Sequence, residues 1–288
     1  MKIDGRLLSA EILGKLKKEI KSLKFSVPPH LAVIWVGSDS SSLSFIRQKQ
    51  LAAKQIGAKI SLIHFRKTPE YTKIARILLQ IATDKSIHGM IIQRPFPPTL
   101  SADTLNVRIP IFKDVDGFLP KSAFDPPVGM AVFKILSEVY YRHLTHIQKP
   151  IDDYPKSLIS YLKNKKIVQI GRGETAGKPI AQILNTMKLN FIILNSQSQN
   201  RDEYLNQADI VISAVGKSQI ITPDQVKPNC ILIGVGIHKE KGKLTGDFDE
   251  NEFKDQVLFY TPTPGGVGPV NVACLMQNLV SACKLQLK

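Results

Sequence analysis

Cysteine is scarce: Cys230, Cys274 and Cys283 are the only thiols in 288 residues. An odd number with no CxxC spacing argues against a disulfide framework and against a cysteine-based zinc site. No apolar run approaches the roughly 20 residues that a helix needs to cross a bilayer, so no membrane span is expected. The opening MKIDGRLLSAEIL mixes basic and acidic residues and lacks the apolar core and small-residue cleavage site of a secretory leader. It reads as cytoplasmic chain. Tandem repeats and low-complexity tracts are also missing, which sets aside solenoids and disordered arrays. Negative charge is the remaining shortage, with 24 Asp and Glu against 39 Lys and Arg, a formal net charge of +15. Such an excess attracts polyanions, either nucleic acid or an anionic cofactor or substrate. The basic residues are scattered, which disfavours nucleic acid. Their densest run, Lys15, Lys17, Lys18, Lys21 and Lys24, flanks a helical stripe of Ile12, Leu16, Ile20 and Leu23 and reads as a solvated helix face.

What is present is the material of a globular protein: 43% hydrophobic residues in a chain long enough for two domains, each with its own core. Short apolar, β-rich runs recur at 30–37, 59–65 and 88–96, separated by stretches that suit helices. The pattern restarts from Lys165, with runs at 165–171, 189–195, 208–216, 229–237 and 256–264. Most are apolar throughout rather than alternating, as expected of parallel strands covered by helices on both faces. The fold class is therefore α/β in two domains, the C-terminal one a Rossmann-like doubly wound parallel sheet. Residues 1–128 with 269–288 are expected to form the first domain and 129–268 the second, joined by long helices. The connection, 118–162, holds five prolines and a helical pattern at 130–143. The last segment carries Val272, Leu275, Met276, Leu279 and Cys283 on one helical side.

Five segments could carry chemistry. GRGETAGKP (171–179) follows the strand IVQI and precedes a helical run, where a glycine turn and a helix N-terminus can meet a phosphate. Its glycines, Gly171, Gly173 and Gly177, are one residue wider than the usual dinucleotide spacing, and Pro179 replaces the hydroxyl that a P-loop requires. The next strand ends Leu194-Asn195-Ser196 with no carboxylate to hold ribose hydroxyls, and Arg172 lies in the turn, so NADP is favoured over NAD. In SDSSSLSFIRQKQLAAKQIG (38–57), Asp39 suits a helix N-cap, and Phe45, Lys49, Ala52 and Ile56 share one face. Desolvation there would lower the Lys49 pKa toward a range useful in proton transfer; a lysine snorkelling to water is the plain alternative. Gln93 ends the apolar strand of IIQRPFPP, at the end where open α/β sheets bind ligands. KDVDGF (113–118) carries two carboxylates at a turn that can also be purely local. TPTPGGVGPVNVA (261–273) is a stiff loop with bare backbone, suited to a flat ligand or to a structural turn. His143 and His146 have no third ligand, so no metal is expected.

In this order the motifs resemble those of the bifunctional methylenetetrahydrofolate dehydrogenase/methenyltetrahydrofolate cyclohydrolase family. The likeness runs from KIDGRLLSAEI through GMIIQRPFP, KDVDGF, GRGETAGKP, ADIVISAVGK and GKLTGD to TPTPGGVGPVNVA. It implies a two-domain homodimer that binds tetrahydrofolate derivatives, polyglutamylated ones included, and NADP on the second domain. By position Lys49 resembles the essential lysine, Gln93 its partner, and Asp116 the carboxylate that holds the pterin edge. The resemblance places Phe45, Pro264, Gly265 and Gly266 at the substrate. Cofactor binding falls to Gly171, Arg172, Gly173, Gly177, Ser196 and Ile237. Several positions depart from the family pattern. Phe45 stands for a tyrosine, Arg94 for a leucine, Gly173 for a serine and Gly234 for an aspartate. Asn195 and Gln197 replace a histidine and a basic residue, which makes the phosphate pocket less cationic. Asn271 replaces a threonine, and 137–157 reads as an insertion. A dehydrogenase without hydrolase activity, and a basic nucleic-acid-binding protein on a retired scaffold, are the alternatives.

Overall fold

The computed structural model describes residues 1–23, 25–97, 99–147, 155–240 and 242–287. It divides into two compact units, one of Ser9–Pro127 with Val272–Lys288, the other of Val128–Asn271 with Met1–Leu8. The first eight residues therefore group with the second unit, where the division at residue 128 put them with the first. Backbone pairing accounts for it: Ile3 N donates to Tyr260 O at 2.8 Å and Tyr260 N to Met1 O at 3.0 Å.

The first unit takes most of α1 (Gly5–Leu23), whose Ile12 and Leu16 are buried while Lys15, Lys17 and Lys18 face solvent. The chain then alternates: β1 (His30–Val36), α2 (Ser40–Ile56), β2 (Lys59–Phe65), α3 (Tyr71–Thr83), β3 (Gly89–Ile92) and the short α4 (Ala102–Asn106). The sheet is parallel in the order β2-β1-β3, with Leu31 opposite both Ile60 and Gly89. β1 is central and buried along its whole length, hence its apolar sequence from Leu31 onward. Ala32, Ile34, Met90 and Ile92 meet Ile74 and Leu78 of α3 in a core that Leu105 and Ile109 close.

The second unit opens with α5 (Pro127–Glu138), Pro127 being tolerated in its first turn. The single helix expected over 130–143 changes pitch here. Val139–Leu144 is a π-helical turn, in which Thr145 N reaches back to Tyr140 O at 2.9 Å. A third of the proposed insertion, 148–154, lies outside the described residues. After α6 (Lys156–Lys163) come β4 (Ile167–Ile170), α7 (Gly177–Thr186), β5 (Phe191–Leu194), α8 (Arg201–Gln207), β6 (Ile210–Ser213) and β7 (Ile231–Gly234). The run 229–237 does not continue as one strand. The ladder ends at Gly234, the N–H groups of Val235 and Gly236 both turn to Ser213 O, and Ile237 opens an antiparallel hairpin of β8 (Ile237–Glu240) and β9 (Lys243–Gly246). The unit continues with α9 (Glu250–Phe253) and β10 (Phe259–Tyr260). Its five parallel strands run β10-β7-β6-β4-β5, which in chain order is a doubly wound 2-1-3-4-5 sheet.

The last helix, α10 (Val267–Gln286), buries Val272, Leu275, Met276, Leu279 and Cys283 as its periodicity predicts. It also buries Ala273, Cys274, Val280 and Ala282, so it is covered on nearly every side. Among the described residues no helix is long and apolar enough to cross a membrane.

Candidate active site

In both sheets the strand order reverses beside the first strand of the unit, and crevices at the C-terminal ends of such strands are where open α/β sheets bind ligands. In the first unit the reversal lies between β1 and β3, where Gln93 emerges. Its N–H still donates to Ile34 O at 2.8 Å, which keeps it in register with β1. Its buried side chain accepts a hydrogen bond at Oε1 from Lys49 Nζ, 2.7 Å away, and donates from Nε2 to Arg94 O at 2.7 Å. An ammonium has only donors, so it meets the carbonyl side of the amide.

Lys49 is delivered by α2. The carboxylate of Asp39 caps this helix by accepting from Ser42 N at 2.7 Å, and bonds from Ser41 and Ser42 hold its pKa below the usual carboxylate range. Ile46, Ala53 and Ile56 fix the helix to the core. Phe45 and Lys49, one turn apart, are left half-buried on one face. Burial pushes the Lys49 ammonium down in pKa, and the carboxylate of Asp116 resists. The same burial pushes Asp116 up; Lys49 and Arg94 oppose the rise and Asp114 adds to it.

The two carboxylates of KDVDGF separate in role. Asp114 is a brace: it is buried and accepts from Leu119 N at 2.8 Å and Phe118 N at 3.4 Å. Asp116 makes no such local bond and faces Lys49. The turn between them is fixed on both sides. Gly117 has φ +68°, and Asn278 of α10 donates to Val115 O at 2.9 Å and Asp125 O at 2.8 Å. Lys113 is structural too, donating to Asp84 O at 2.7 Å beyond the C-terminus of α3, where a cation is favoured. Asn278 was not anticipated. Its place on the buried stripe, three residues after Leu275 and beside Leu279, was the available signal, since a buried amide needs partners.

The second unit builds its crevice from backbone. Gly171 has φ +100°, and a Cβ there would strike Ala214 O, while a Cβ on Gly177 would lie 2.7 Å from Arg172 Cα. Gly173 is unconstrained, with open space where its side chain would be. Gln169, a polar residue within buried β4, donates to Gly171 O at 2.8 Å and Gly177 O at 2.9 Å. Two carbonyls are thus tied beneath the turn, and the N-terminus of α7 stands behind it. Bare backbone, inward carbonyls and a helix start together fit a phosphate-bearing cofactor. Arg172 and Ser196 are exposed at the ends of β4 and β5, and the loop of Ser196 closes on itself through Asn195 N to Ser198 Oγ at 2.9 Å. Across the crevice, the buried Asp247 accepts from Ser213 Oγ at 2.6 Å, Val215 N at 3.0 Å, Gly216 N at 2.7 Å and Lys217 N at 3.1 Å. It ties the turn after β6 to the hairpin that carries Ile237. The motif GKLTGD held this aspartate, but nothing in its spacing revealed the role. Pro264, Gly265 and Gly266 lie in the second unit, in the turn before α10, where Gly266 N donates to Pro262 O at 2.9 Å.

Residues 3–116 match the model of the tetrahydrofolate dehydrogenase/cyclohydrolase catalytic domain, and 155–287 that of the NAD(P)-binding domain of the same enzymes. The chain is 34% identical over 284 residues to the Bifunctional protein FolD of Bacillus licheniformis, covering 98% of this chain and 96% of that one. This chain belongs to the tetrahydrofolate dehydrogenase/cyclohydrolase family. The crystal structure of the bifunctional enzyme FolD of Campylobacter jejuni superposes with a TM-score of 0.87 at 30% identity, over 99% of both chains. At 23% identity the Trypanosoma brucei enzyme, solved with NADP and an inhibitor, shares the fold with a TM-score of 0.87 over 100% of this chain and 98% of that one. The two α/β domains of this family member are thus a catalytic domain and an NAD(P)-binding domain, and its glycine turn lies in the latter.

Proposed function

We propose that the chain oxidises 5,10-methylenetetrahydrofolate to the 5,10-methenyl cation with NADP, then hydrolyses the cation to 10-formyltetrahydrofolate. The observation that carries this reading is the meeting of Lys49, Gln93 and Asp116, from three separate segments, in one half-buried slot. In it Asp116 accepts the exocyclic amine and ring N–H of a pterin in a bidentate, charge-assisted pair. Phe45 packs against the substrate. NADP, when bound, supplies the hydride acceptor; Gly171, Gly173 and Gly177 would hold its phosphates, Arg172 and Ser196 the 2′-phosphate, with Ile237 packing beside it.

Loss of hydride leaves a delocalised cation and needs no base. Hydrolysis does, because water must give up a proton as it attacks and a ring nitrogen must gain one as the C–N bond breaks. Lys49 can do both: as the amine it takes the proton of water, and as the ammonium it returns that proton to the leaving nitrogen, while the carbinol hydroxyl releases its remaining proton to solvent as the formyl C=O forms. Burial favours the amine, and Gln93 fixes the direction of Nζ.

Residues 9–127 with 272–288 act as the folate part and 1–8 with 128–271 as the cofactor part, in a cytoplasmic homodimer. Ile192 and Ile193, exposed on the edge strand β5, support self-association. The charge of +15 suits NADP and a polyglutamate tail. The test is one spectrophotometric assay with methylenetetrahydrofolate and NADP, following NADPH and methenyl absorbance together. NADPH formation with transient methenyl supports both steps; NADPH formation with methenyl that accumulates and decays only at the uncatalysed rate leaves the dehydrogenase alone.

A further inference from the structure

Arg94 has no part in the roles above, yet it lies within the slot. It follows Gln93 directly, and its carbonyl is held by Gln93 Nε2 at 2.7 Å and Ser42 Oγ at 3.4 Å. Its guanidinium lies over the ring of Phe118, 4.4 Å from the centroid, and Phe118 is two residues beyond Asp116. Arg94 therefore reaches the carboxylate loop from the strand end, while Lys49 reaches it from α2. The charged groups that face Asp116 are Lys49, Arg94 and, from its own loop, Asp114.

This arrangement answers a conflict built into the proposed chemistry. Asp116 can accept the pterin donors only as a carboxylate, but burial and the neighbouring Asp114 both favour its protonated form. Lys49 compensates only while it is an ammonium, and hydrolysis requires it to be an amine. A site with Lys49 as sole cation would lose the carboxylate at the moment the base forms, since the two titrate as a coupled pair. A guanidinium does not titrate in the accessible range. We propose that Arg94 is a positioning residue of the folate site, a permanent cation that stacks on Phe118 and keeps Asp116 a carboxylate while Lys49 cycles between ammonium and amine. The inference rests on the function proposed above and adds a residue to it.

The experiment compares R94Q, R94K and D116N with the parent enzyme, measuring KM and kcat for methenyltetrahydrofolate hydrolysis between pH 5.5 and 8.5, values chosen to span the titration. For R94Q the rise in KM on the acid side should move to higher pH by on the order of one unit, giving about a tenfold higher KM there with kcat little changed. R94K should return the profile toward that of the parent, because it restores the charge. An R94Q profile that overlays the parent at every pH overturns the proposal, as does an R94K profile identical to R94Q. D116N separates the two levels of the argument. If D116N leaves KM unchanged, the folate-site reading itself fails; if D116N raises KM while R94Q does not, only the role of Arg94 is lost.

Discussion

The two parallel sheets meet their ligand crevices with different materials. Beyond β3 the first unit offers side chains: an ammonium, an amide and a carboxylate, the two charged groups pushed away from their ordinary pKa values by burial. Beyond β4 and β6 the second unit offers main chain, shaped by Gly171 and Gly177 and tied down by Gln169 and Asp247. Proton transfer needs groups that titrate, whereas holding a phosphate needs fixed dipoles that do not. Perturbed carboxylate and ammonium groups accordingly gather at the first crevice. Asp247, a buried carboxylate of the second, is bonded to four donors and serves as a clamp. The ligand-facing chemistry of a sheet end follows from what fills it, not from the sheet.

This contrast can be broken most severely at Lys49. K49M should reduce methenyl hydrolysis by on the order of a thousandfold while NADP binding is kept, as read from methenyl absorbance and a fluorescence titration. The parent's kcat should climb with pH, since the amine is the active form and is lost as pH falls through the lowered Lys49 pKa. Hydrolysis by K49M at the parent rate removes Lys49 from the mechanism. The reciprocal change is G177A, whose methyl would meet the backbone of Gly171 and Arg172. A main-chain conflict of about 3 kcal/mol should weaken NADP about a hundredfold and spare methenyl hydrolysis. Equal damage to both activities would show that the crevices are not separable.

A finer probe is D247N, which removes charge and turns an N–H₂ group toward two donors, either Gly216 N and Lys217 N or Val215 N and Ser213 Oγ. Loss of charge-assisted bonds worth about 1.5–3 kcal/mol should lower the melting temperature and raise the NADP Kd about tenfold, with hydrolysis retained. Unchanged NADP affinity would make Asp247 a purely structural clamp. The smallest effect belongs to R172A. An exposed ion pair of about 1 kcal/mol predicts roughly fivefold weaker NADP and unaltered NAD, so equal loss for both would refute the 2′-phosphate contact.

Strands and helices were legible because each is covered on the side its periodicity indicates. β1, β4, β6 and β7 are mainly apolar and buried throughout, their polar members His30, Gln169 and Ser213 included, and the stripe of α10 is buried. What escaped were features set by partners distant in the chain. The run 229–237 is apolar to its end, but Ser213 captures the N–H groups of Val235 and Gly236, and the chain leaves the sheet to form a hairpin. The helix over 130–143 widens at Val139 with no proline or glycine to announce it. Motif spacing placed Lys49 and Gln93 at plausible positions, but on spacing alone a snorkelling lysine was the favoured reading and a plain strand end stayed open. The 2.7 Å bond between them, across 44 residues of chain, is a contact that spacing did not foretell.

By itself, the order of residues determined the alternation of elements, the two parallel sheets and the family, because periodicity and turn chemistry act over a few neighbours and are written locally. Tertiary structure alone decided that Asp114 braces while Asp116 faces the lysine, that Arg94 shares their slot, and that Asn278 and Asp247 fasten loops far from them in sequence. Those roles depend on which donors and charges come within a few ångströms after folding, and burial sets their strength. Neither distance nor dielectric is a property of a residue's position in the chain.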